Sequence, residues 1–233
     1  MTSSRGDRGQ GVRGPTPWRI TSATVLAMTP TLVEGDLPEA LASELMRAPL
    51  VAVDTETSGL DWRSSRLEMC QLYTAATGPI LLRHVGATPL RLAELMASRT
   101  VLKVFHFAPF DLRFLQAQWQ APVSQVACTK AASKLLAPDV PSSAHSLASL
   151  LARHAEVTLD KGPIRTSDWG APDLSAEQLA YAVGDVEHLP TLYQILSDQM
   201  IKAGVESTYR SICDYMPIDA HLEVSGIPNP LHY

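Results

Sequence analysis

The apolar residues of the chain recur with two different spacings, which predict alternating strands and helices. Short apolar runs that are typical of buried strands occupy residues 50–53, 68–73, 79–83 and 101–105. Helical spacing of apolar residues predicts helices over 37–47, 90–96, 110–119, 128–136 and 146–151. The first three strands follow one another closely, so we expect a meander. The alternation as a whole indicates an α/β protein with a mixed central sheet.

The clearest helix start in the chain is Ser175. Gln178 lies three residues later, and this spacing predicts a capping box, in which each side chain bonds the other residue's backbone N–H. Pro190 is unfavourable inside a helix because it lacks the N–H donor and clashes with the preceding turn. We therefore expect a break near Glu187, followed by a further helix over 191–203.

Both ends of the chain lack this regular pattern. Residues 1–30 combine glycines, prolines and arginines without an apolar repeat, and we expect a disordered tail. Residues 217–233 are rich in proline and are predicted to form an extended tail. The folded domain is therefore predicted over residues 31–216.

Composition narrows the class of protein. With 233 residues, 45% hydrophobic and 18% charged, the chain is long enough for one large domain with a substantial core. No apolar run approaches the ~20 residues that span a bilayer, so no membrane segment is expected. Cys70, Cys128 and Cys213 are far apart and lack metal-binding spacing, which favours buried thiols and a cytoplasmic location.

The net charge limits the class of nucleic-acid partner. A formal charge of −5 argues against a broad basic surface for long duplex DNA, because such binding relies on many contacts between basic side chains and phosphates. A short oligonucleotide carries few phosphates, and bound metal ions could supply local positive charge. The composition therefore remains compatible with short nucleic acids.

Candidate chemistry begins where the first strand ends. Asp54 and Glu56 are two residues apart in a strand, so their side chains can point to one place. A hard cation such as Mg²⁺ or Mn²⁺ would relieve their repulsion. Taken alone, such a pair is more often a solvated loop start.

Two further segments carry side chains that could join this pair. Asp111 stands at a helix start after the second strongly apolar strand. Tyr181 and Asp185 are four residues apart on a predicted helix, so they share a face one turn from each other. Alone, they would be read as a surface pair. Acids from three separated segments together favour a metal site.

These segments resemble the three exonuclease motifs of the DEDD superfamily, in its tyrosine-bearing RNase D branch. The motifs are Val51-Ala52-Val53-Asp54-Thr55-Glu56, Phe105-His106-Phe107-Ala108-Pro109-Phe110-Asp111-Leu112 and Tyr181-Ala182-Val183-Gly184-Asp185-Val186. Further similarity is carried by Gln71, Cys128-Thr129-Lys130 and Ser167-Asp168-Trp169. The resemblance spans about residues 33–217 and is strongest to the small bacterial nanoribonucleases.

The resemblance implies a ribonuclease H-like fold with a mostly parallel sheet flanked by helices, and an exonuclease domain over 31–216. It also implies two divalent cations, Mg²⁺ or Mn²⁺, and a homo-oligomer that acts on short single-stranded RNA. The expected metal ligands are Asp54, Glu56, Asp111 and Asp185, while Tyr181 is expected to orient the attacking water.

The substrate-binding candidates are Thr55, Leu60, His106 and Phe107. Leu60 is interpreted either as loop packing or as a wedge against the terminal bases, and His106 either as a satisfied histidine beside a strand or as a contact along the substrate path. The expected reaction is 3′-5′ hydrolysis of short oligoribonucleotides to nucleoside 5′-monophosphates. A DNA exonuclease of the same fold and a non-catalytic nucleic-acid-binding relative are the alternatives.

Overall fold

A six-stranded mixed sheet forms the centre of the protein, in the order β1-β4-β3-β2-β5-β6. The computed structural model describes residues 29–159 and 163–231, so the predicted tail over 1–30 lies outside the described residues except for its last two positions. The strands are β1 (Thr31–Glu34), β2 (Leu50–Thr57), β3 (Leu67–Thr74), β4 (Gly78–Arg83), β5 (Leu102–Phe105) and β6 (Val126–Cys128).

The strand pairings confirm the predicted meander and the mixed, mostly parallel sheet. β2 pairs antiparallel with β3, and β3 with β4, whereas the pairs β1–β4, β2–β5 and β5–β6 are parallel. The sequence pattern did not predict β1 or β6. These strands have four and three residues, too few to show a periodic pattern.

Eight α-helices are present in the described part of the chain. They are α1 (Glu39–Arg47), α2 (Leu90–Ala97), α3 (Ala108–Trp119), α4 (Thr129–Leu136), α5 (Leu147–His154), α6 (Ala176–Glu187), α7 (Leu189–Ala203) and α8 (Glu206–Val224). Short 3₁₀ helices occupy Ser142–His145 and Pro163–Thr166. None of the helices in this part of the chain is long and apolar enough to cross a membrane.

The start and end of α6 follow the sequence prediction. Ser175 and Gln178 form the capping box, with each side chain bonded to the other residue's backbone N–H. The helix ends at Glu187, and Pro190 lies in the first turn of α7, where its missing N–H removes no helical hydrogen bond. The predicted break is confirmed, although α7 begins two residues before the predicted position 191.

The predicted extended tail over 217–233 is wrong for residues 217–224. Pro217 lies inside α8, which continues to Val224, so the folded domain extends beyond residue 216. The buried residues of α8 form one stripe, Tyr209, Cys213, Met216 and Ala220. Packing of this stripe against the core outweighs the unfavourable proline, as tertiary contacts often override helix propensity.

Side chains on the two faces of the sheet belong to different hydrophobic clusters. Leu72 and Leu82 belong to the large core, while Met69 and Leu81 join Trp169 and Ala182 in a smaller cluster on the other face. The sheet is therefore covered on both sides, as expected for an α/β fold. All three cysteines are free and buried, as the sequence predicted.

Lys103 is a buried lysine in β5. Its side chain is 0% exposed, and its Nζ donates hydrogen bonds to the carbonyl oxygens of Ser98 at 2.6 Å and Val101 at 2.8 Å. Ser98 is the C-cap residue that follows α2, so the amine satisfies a carbonyl at a helix C-terminus. Burial lowers the pKa of Lys103 to about 8.

Replacing Lys103 with Met should change how stability depends on pH. Because the pKa of Lys103 is lowered on folding, the unfolded chain holds this proton to higher pH than the folded protein. The wild type should therefore gain stability relative to Lys103→Met as the pH rises from about 7 to about 10. Urea unfolding of both proteins at the two pH values measures this difference.

The control is Lys202→Met, which changes an exposed lysine on α7. Its unfolding free energy should keep a constant offset from that of the wild type across the same pH range. The prediction fails if the difference between wild type and Lys103→Met is also independent of pH.

Candidate active site

Three carboxylates meet at the carboxyl end of β2. One oxygen from each of Asp54, Glu56 and Asp185 lies within 4.8 Å of the others. Asp54 and Glu56 are two residues apart in β2 and point to the same face of the sheet. That face is covered by α6, which supplies Asp185. The structure thus joins the first and third sequence motifs in one place.

The environment of the three carboxylates makes their repulsion costly. Glu56 and Asp185 are 7% and 6% exposed, and Asp54 is half-buried. Carboxylates held this close and shielded from water repel one another strongly unless a proton or a cation intervenes. The donor set consists of oxygens alone, which suits a hard divalent cation such as Mg²⁺ or Mn²⁺.

Asp111 lies beside this cluster and is not one of the three carboxylates within 4.8 Å of one another. Successive side chains of β2 point to opposite faces, so Thr55 points away from α6. Its Oγ1 donates to Asp111 Oδ1 at 2.7 Å, which positions the carboxylate from the first turn of α3.

Burial is the largest influence on the pKa of Asp111. The side chain is 3% exposed, and this burial raises its pKa to about 7, although the hydrogen bond from Thr55 acts in the opposite direction. The charge of Asp185 raises the pKa further. Asp111 and Asp54 also raise the pKa of the buried Cys70 thiol, after the larger effect of its burial. Both acids therefore act electrostatically on the same thiol beside the cluster.

Tyr181 lies one helical turn before Asp185 on α6, and the two side chains form a hydrogen bond. Its pKa is raised first by burial and then by the charges of Asp185, Glu56 and Asp54. The phenol therefore keeps its proton near neutral pH and is available as a donor at the cluster. The Trp169 ring, which is 2% exposed, lies 5.8 Å from the Tyr181 ring and limits its movement.

Gln71 is a site residue whose role the sequence did not predict. It lies opposite Asp54 in the β2–β3 register and is 0% exposed. Its Nε2 donates to Glu56 Oε1 at 3.2 Å, which orients the glutamate within the cluster. The resemblance included Gln71 but assigned it no role. The partner of Gln71 depends on the register between β2 and β3, which the apolar pattern did not determine.

Leu60 and Phe107 border one cavity. Leu60 is 87% exposed on the loop after β2, and Phe107 is 46% exposed just before α3. The cavity has a volume of about 310 Å³ and is rich in aromatic side chains. Its lining residues are Leu60, Asp61, Trp62, Arg63, Phe107, Phe110, Arg113, Phe114 and Glu223.

Phe107 occupies an unusual backbone conformation. Its φ of 76° and ψ of 49° lie in the left-handed region, which costs a residue other than glycine about 1–3 kcal/mol. Lys130 Nζ lies 4.5 Å from the centroid of the Phe107 ring, a distance typical of a cation–π contact. Surrounding structure therefore holds this ring at the edge of the cavity.

The remaining two substrate-binding candidates have buried polar partners. His106 Nδ1 lies 2.9 Å from Thr129 Oγ1, and Thr129 in turn donates to the carbonyl oxygen of Phe105. Thr55 is 6% exposed, and its hydroxyl donates a hydrogen bond to Asp111. Contact of either residue with substrate stays a prediction.

Known proteins resemble this chain in sequence and in overall structure. A family profile described as 3′-5′ exonuclease matches residues 32–201. Ribonuclease D from Gluconacetobacter diazotrophicus is 33% identical over 168 residues, which cover 70% of this chain and 41% of that relative. The chain thus spans about two fifths of the length of the curated relative it matches.

Two solved structures of NrnC from Brucella melitensis also superpose on the chain. The structure with bound Mg²⁺ has a TM-score of 0.78 at 27% identity and covers 88% of this chain and 100% of that one. The structure bound to pGG has a TM-score of 0.79 at 28% identity, and the match covers 88% of this chain and 99% of that one. These similarities confirm the ribonuclease H-like fold. The matched residues include all three motifs, and the chain therefore belongs to the 3′-5′ exonuclease family, in its RNase D branch.

Proposed function

We propose that this protein is a metal-dependent 3′-5′ exoribonuclease that hydrolyses short oligoribonucleotides to nucleoside 5′-monophosphates. The observation that carries the proposal is the meeting of Asp54, Glu56 and Asp185 within 4.8 Å, with Tyr181 bonded to Asp185. The four side chains come from two distant segments, and the three carboxylates converge there although their mutual repulsion opposes it. Such an arrangement is characteristic of a site that binds cations and cleaves phosphate esters.

Two divalent cations, Mg²⁺ or Mn²⁺, are proposed as cofactors. Asp54, Glu56 and Asp185 would hold one, and Asp54 with the adjacent Asp111 would hold the second. When bound, such ions polarise the scissile phosphate and acidify an attacking water. A related protein, NrnC from Brucella melitensis, has a solved structure with bound Mg²⁺, which supports the choice of metal.

Tyr181 is proposed to orient the attacking water. Its phenol remains protonated beside the carboxylates, so it can donate or accept a hydrogen bond without adding charge. Gln71 has a supporting role, because its amide holds Glu56 in one orientation. The two polar groups therefore position the reacting water and a metal ligand, while the carboxylates supply the charge.

The substrate is proposed to be a short single strand whose terminal bases contact Leu60 and Phe107. An exposed aliphatic side chain and an aromatic ring beside one cavity offer stacking surfaces for unpaired bases. The solved structure of NrnC bound to pGG supports a short substrate. The net charge of −5 is also compatible with few phosphate contacts.

Cleavage of RNA and DNA oligonucleotides of graded length provides the main test. Purified protein with Mn²⁺ should release nucleoside 5′-monophosphates from the 3′ end of 5′-labelled RNA, most rapidly from the shortest chains. A preference for DNA of the same sequence would favour the alternative of a DNA exonuclease. Release of no mononucleotide from either polymer would contradict the proposal and favour a binding protein.

Two substitutions should separate metal binding from water positioning. Asp54→Asn should abolish turnover and weaken Mn²⁺ binding, because it removes a charge from the cluster. Tyr181→Phe should retain Mn²⁺ binding and lower kcat by about 10²–10⁴-fold, the scale of a positioned acid–base group. Calorimetric titration with Mn²⁺ and steady-state kinetics measure the two effects.

Tyr215→Phe serves as the control for Tyr181→Phe, since it removes a tyrosine hydroxyl on α8 that bonds to Asn229. It should leave both metal affinity and kcat unchanged. Equal losses of metal affinity in Asp54→Asn and Tyr181→Phe would refute the role given to Tyr181.

Gln71→Leu should weaken Mn²⁺ binding by about 10–100-fold, because partners that orient a metal ligand commonly contribute that much. The substitution removes the donor to Glu56 and leaves every carboxylate in place. Calorimetric titration with Mn²⁺ measures the change, and Gln194→Leu on the exposed face of α7 is the matched control. Unchanged affinity in Gln71→Leu would show that Glu56 is oriented without this hydrogen bond.

A further inference from the structure

The loop that carries Leu60 is attached to two helices. Residues 58–66 connect β2 to β3. On one side, Gln118 of α3 donates to the carbonyl oxygens of Trp62 at 3.1 Å and Ser65 at 2.5 Å, and it accepts from the backbone N–H of Leu67 at 2.8 Å. These bonds hold the backbone of the loop on its return to β3.

A second attachment comes from Glu223 in the last turn of α8. Trp62 Nε1 donates to Glu223 Oε1 at 3.1 Å, and a guanidinium nitrogen of Arg63 lies 3.3 Å from the same oxygen. Arg113 Nε donates to the other carboxylate oxygen. A single side chain therefore connects the loop to both α3 and α8.

The surroundings of Glu223 favour its charged form. Partial burial raises the pKa of Glu223, but the hydrogen bonds from Trp62 and Arg113 and the charges of Arg113 and Arg63 outweigh this effect and lower it. Charge-assisted hydrogen bonds of this kind are stronger than neutral ones. The carboxylate is thus an ionised acceptor at the junction of three segments.

The same residues border the cavity proposed for the terminal bases. Trp62, Arg63, Arg113 and Glu223 line it together with Leu60 and Phe107. Asp54, Glu56, Asp185 and Tyr181 are not among its lining residues. A change at Glu223 should therefore affect the position of the loop and leave the carboxylate cluster intact.

We propose that Glu223 is a positioning residue for substrate binding, which acts through Trp62 and Arg63 to fix the loop that presents Leu60. This inference rests on the proposed function and extends it to a residue of the C-terminal helix. Glu223 contacts the loop and not the reacting phosphate. Its loss is expected to raise KM for oligonucleotides while the chemistry at the carboxylates continues.

The experiment compares Glu223→Ala with the wild type on two substrates. For a short oligoribonucleotide with Mn²⁺, KM should rise about tenfold with kcat little changed, the scale of one lost charge-assisted hydrogen bond. Turnover of bis-p-nitrophenyl phosphate, which has no bases, should stay within about twofold of the wild type. Equal losses on both substrates, or an unchanged KM, would overturn the proposal.

Folding of the variant is not expected to fail, because Arg113 keeps its partner Asp219 at 2.9 Å when Glu223 is removed. Thermal unfolding checks this, and Glu223→Gln, which keeps the side-chain volume, replaces Glu223→Ala if the latter unfolds. Asp214→Asn on the exposed face of α8 is the matched control and should leave KM unchanged.

A double-mutant cycle tests whether Glu223 acts through Trp62. Trp62→Phe keeps an aromatic ring and removes the N–H donor to Glu223. If the two residues act together, the KM of the double variant should rise by less than the product of the two single effects. Multiplicative effects would show that Glu223 does not act through Trp62.

Failure of the proposed function can be distinguished from failure of this inference. Fluorescence polarisation of a labelled oligoribonucleotide with Ca²⁺ measures binding without turnover. A wild type that binds RNA but releases no mononucleotide contradicts the proposed function, and a higher Kd in Glu223→Ala would still support the role of Glu223. A wild type that cleaves RNA, together with a variant of equal KM and Kd, contradicts the inference alone.

Discussion

The repulsion between carboxylates at the end of β2 is the physical constraint on which this site depends. One carboxylate oxygen from each of Asp54, Glu56 and Asp185 lies within 4.8 Å of the others in a largely buried place. In an unfolded chain their repulsion would keep these groups apart. The fold overcomes this repulsion because β2 lies between β3 and β5 and α6 packs across the same sheet. Stability supplied by the core thus maintains a charge arrangement that is unfavourable in the absence of cations.

The site is held by buried partners that come from both faces of the sheet. Thr55 bonds to Asp111 on the face toward α3, whereas Gln71 bonds to Glu56 on the face toward α6. Trp169 packs against Tyr181 within the smaller hydrophobic cluster. Because the polar partners and Trp169 are buried, the orientation of these groups follows from the packing around the sheet.

The substrate side of the site is built differently. Leu60 lies on an exposed loop, and that loop is held by hydrogen bonds and ion pairs to α3 and α8 together with the packing of Trp62 against the core. Glu223 gathers these contacts at the end of the chain's last helix. The protein therefore combines a largely buried carboxylate cluster with an exposed loop, proposed to contact the terminal bases, whose position depends in part on polar contacts at its edge.

The sequence by itself determined much of the central sheet and the composition of the cluster. The apolar run before Asp54 predicted β2, the capping box at Ser175 predicted the start of α6, and the four-residue spacing placed Tyr181 beside Asp185. These features are local, because strand alternation and the helical turn relate residues that are close in the chain.

Only the tertiary structure decided which distant groups meet. The short strands β1 and β6 form through pairing with neighbours, and α8 passes through Pro217 because its apolar stripe packs on the core. The partners of Gln71 and Glu223 depend on strand register and on contacts across 161 residues of chain. Thr55 points to the opposite face of β2 and donates to Asp111, which lies beside the three carboxylates and outside their group. Such pairings leave no periodic signal in the sequence, since their energy comes from contacts that exist only after the chain has folded.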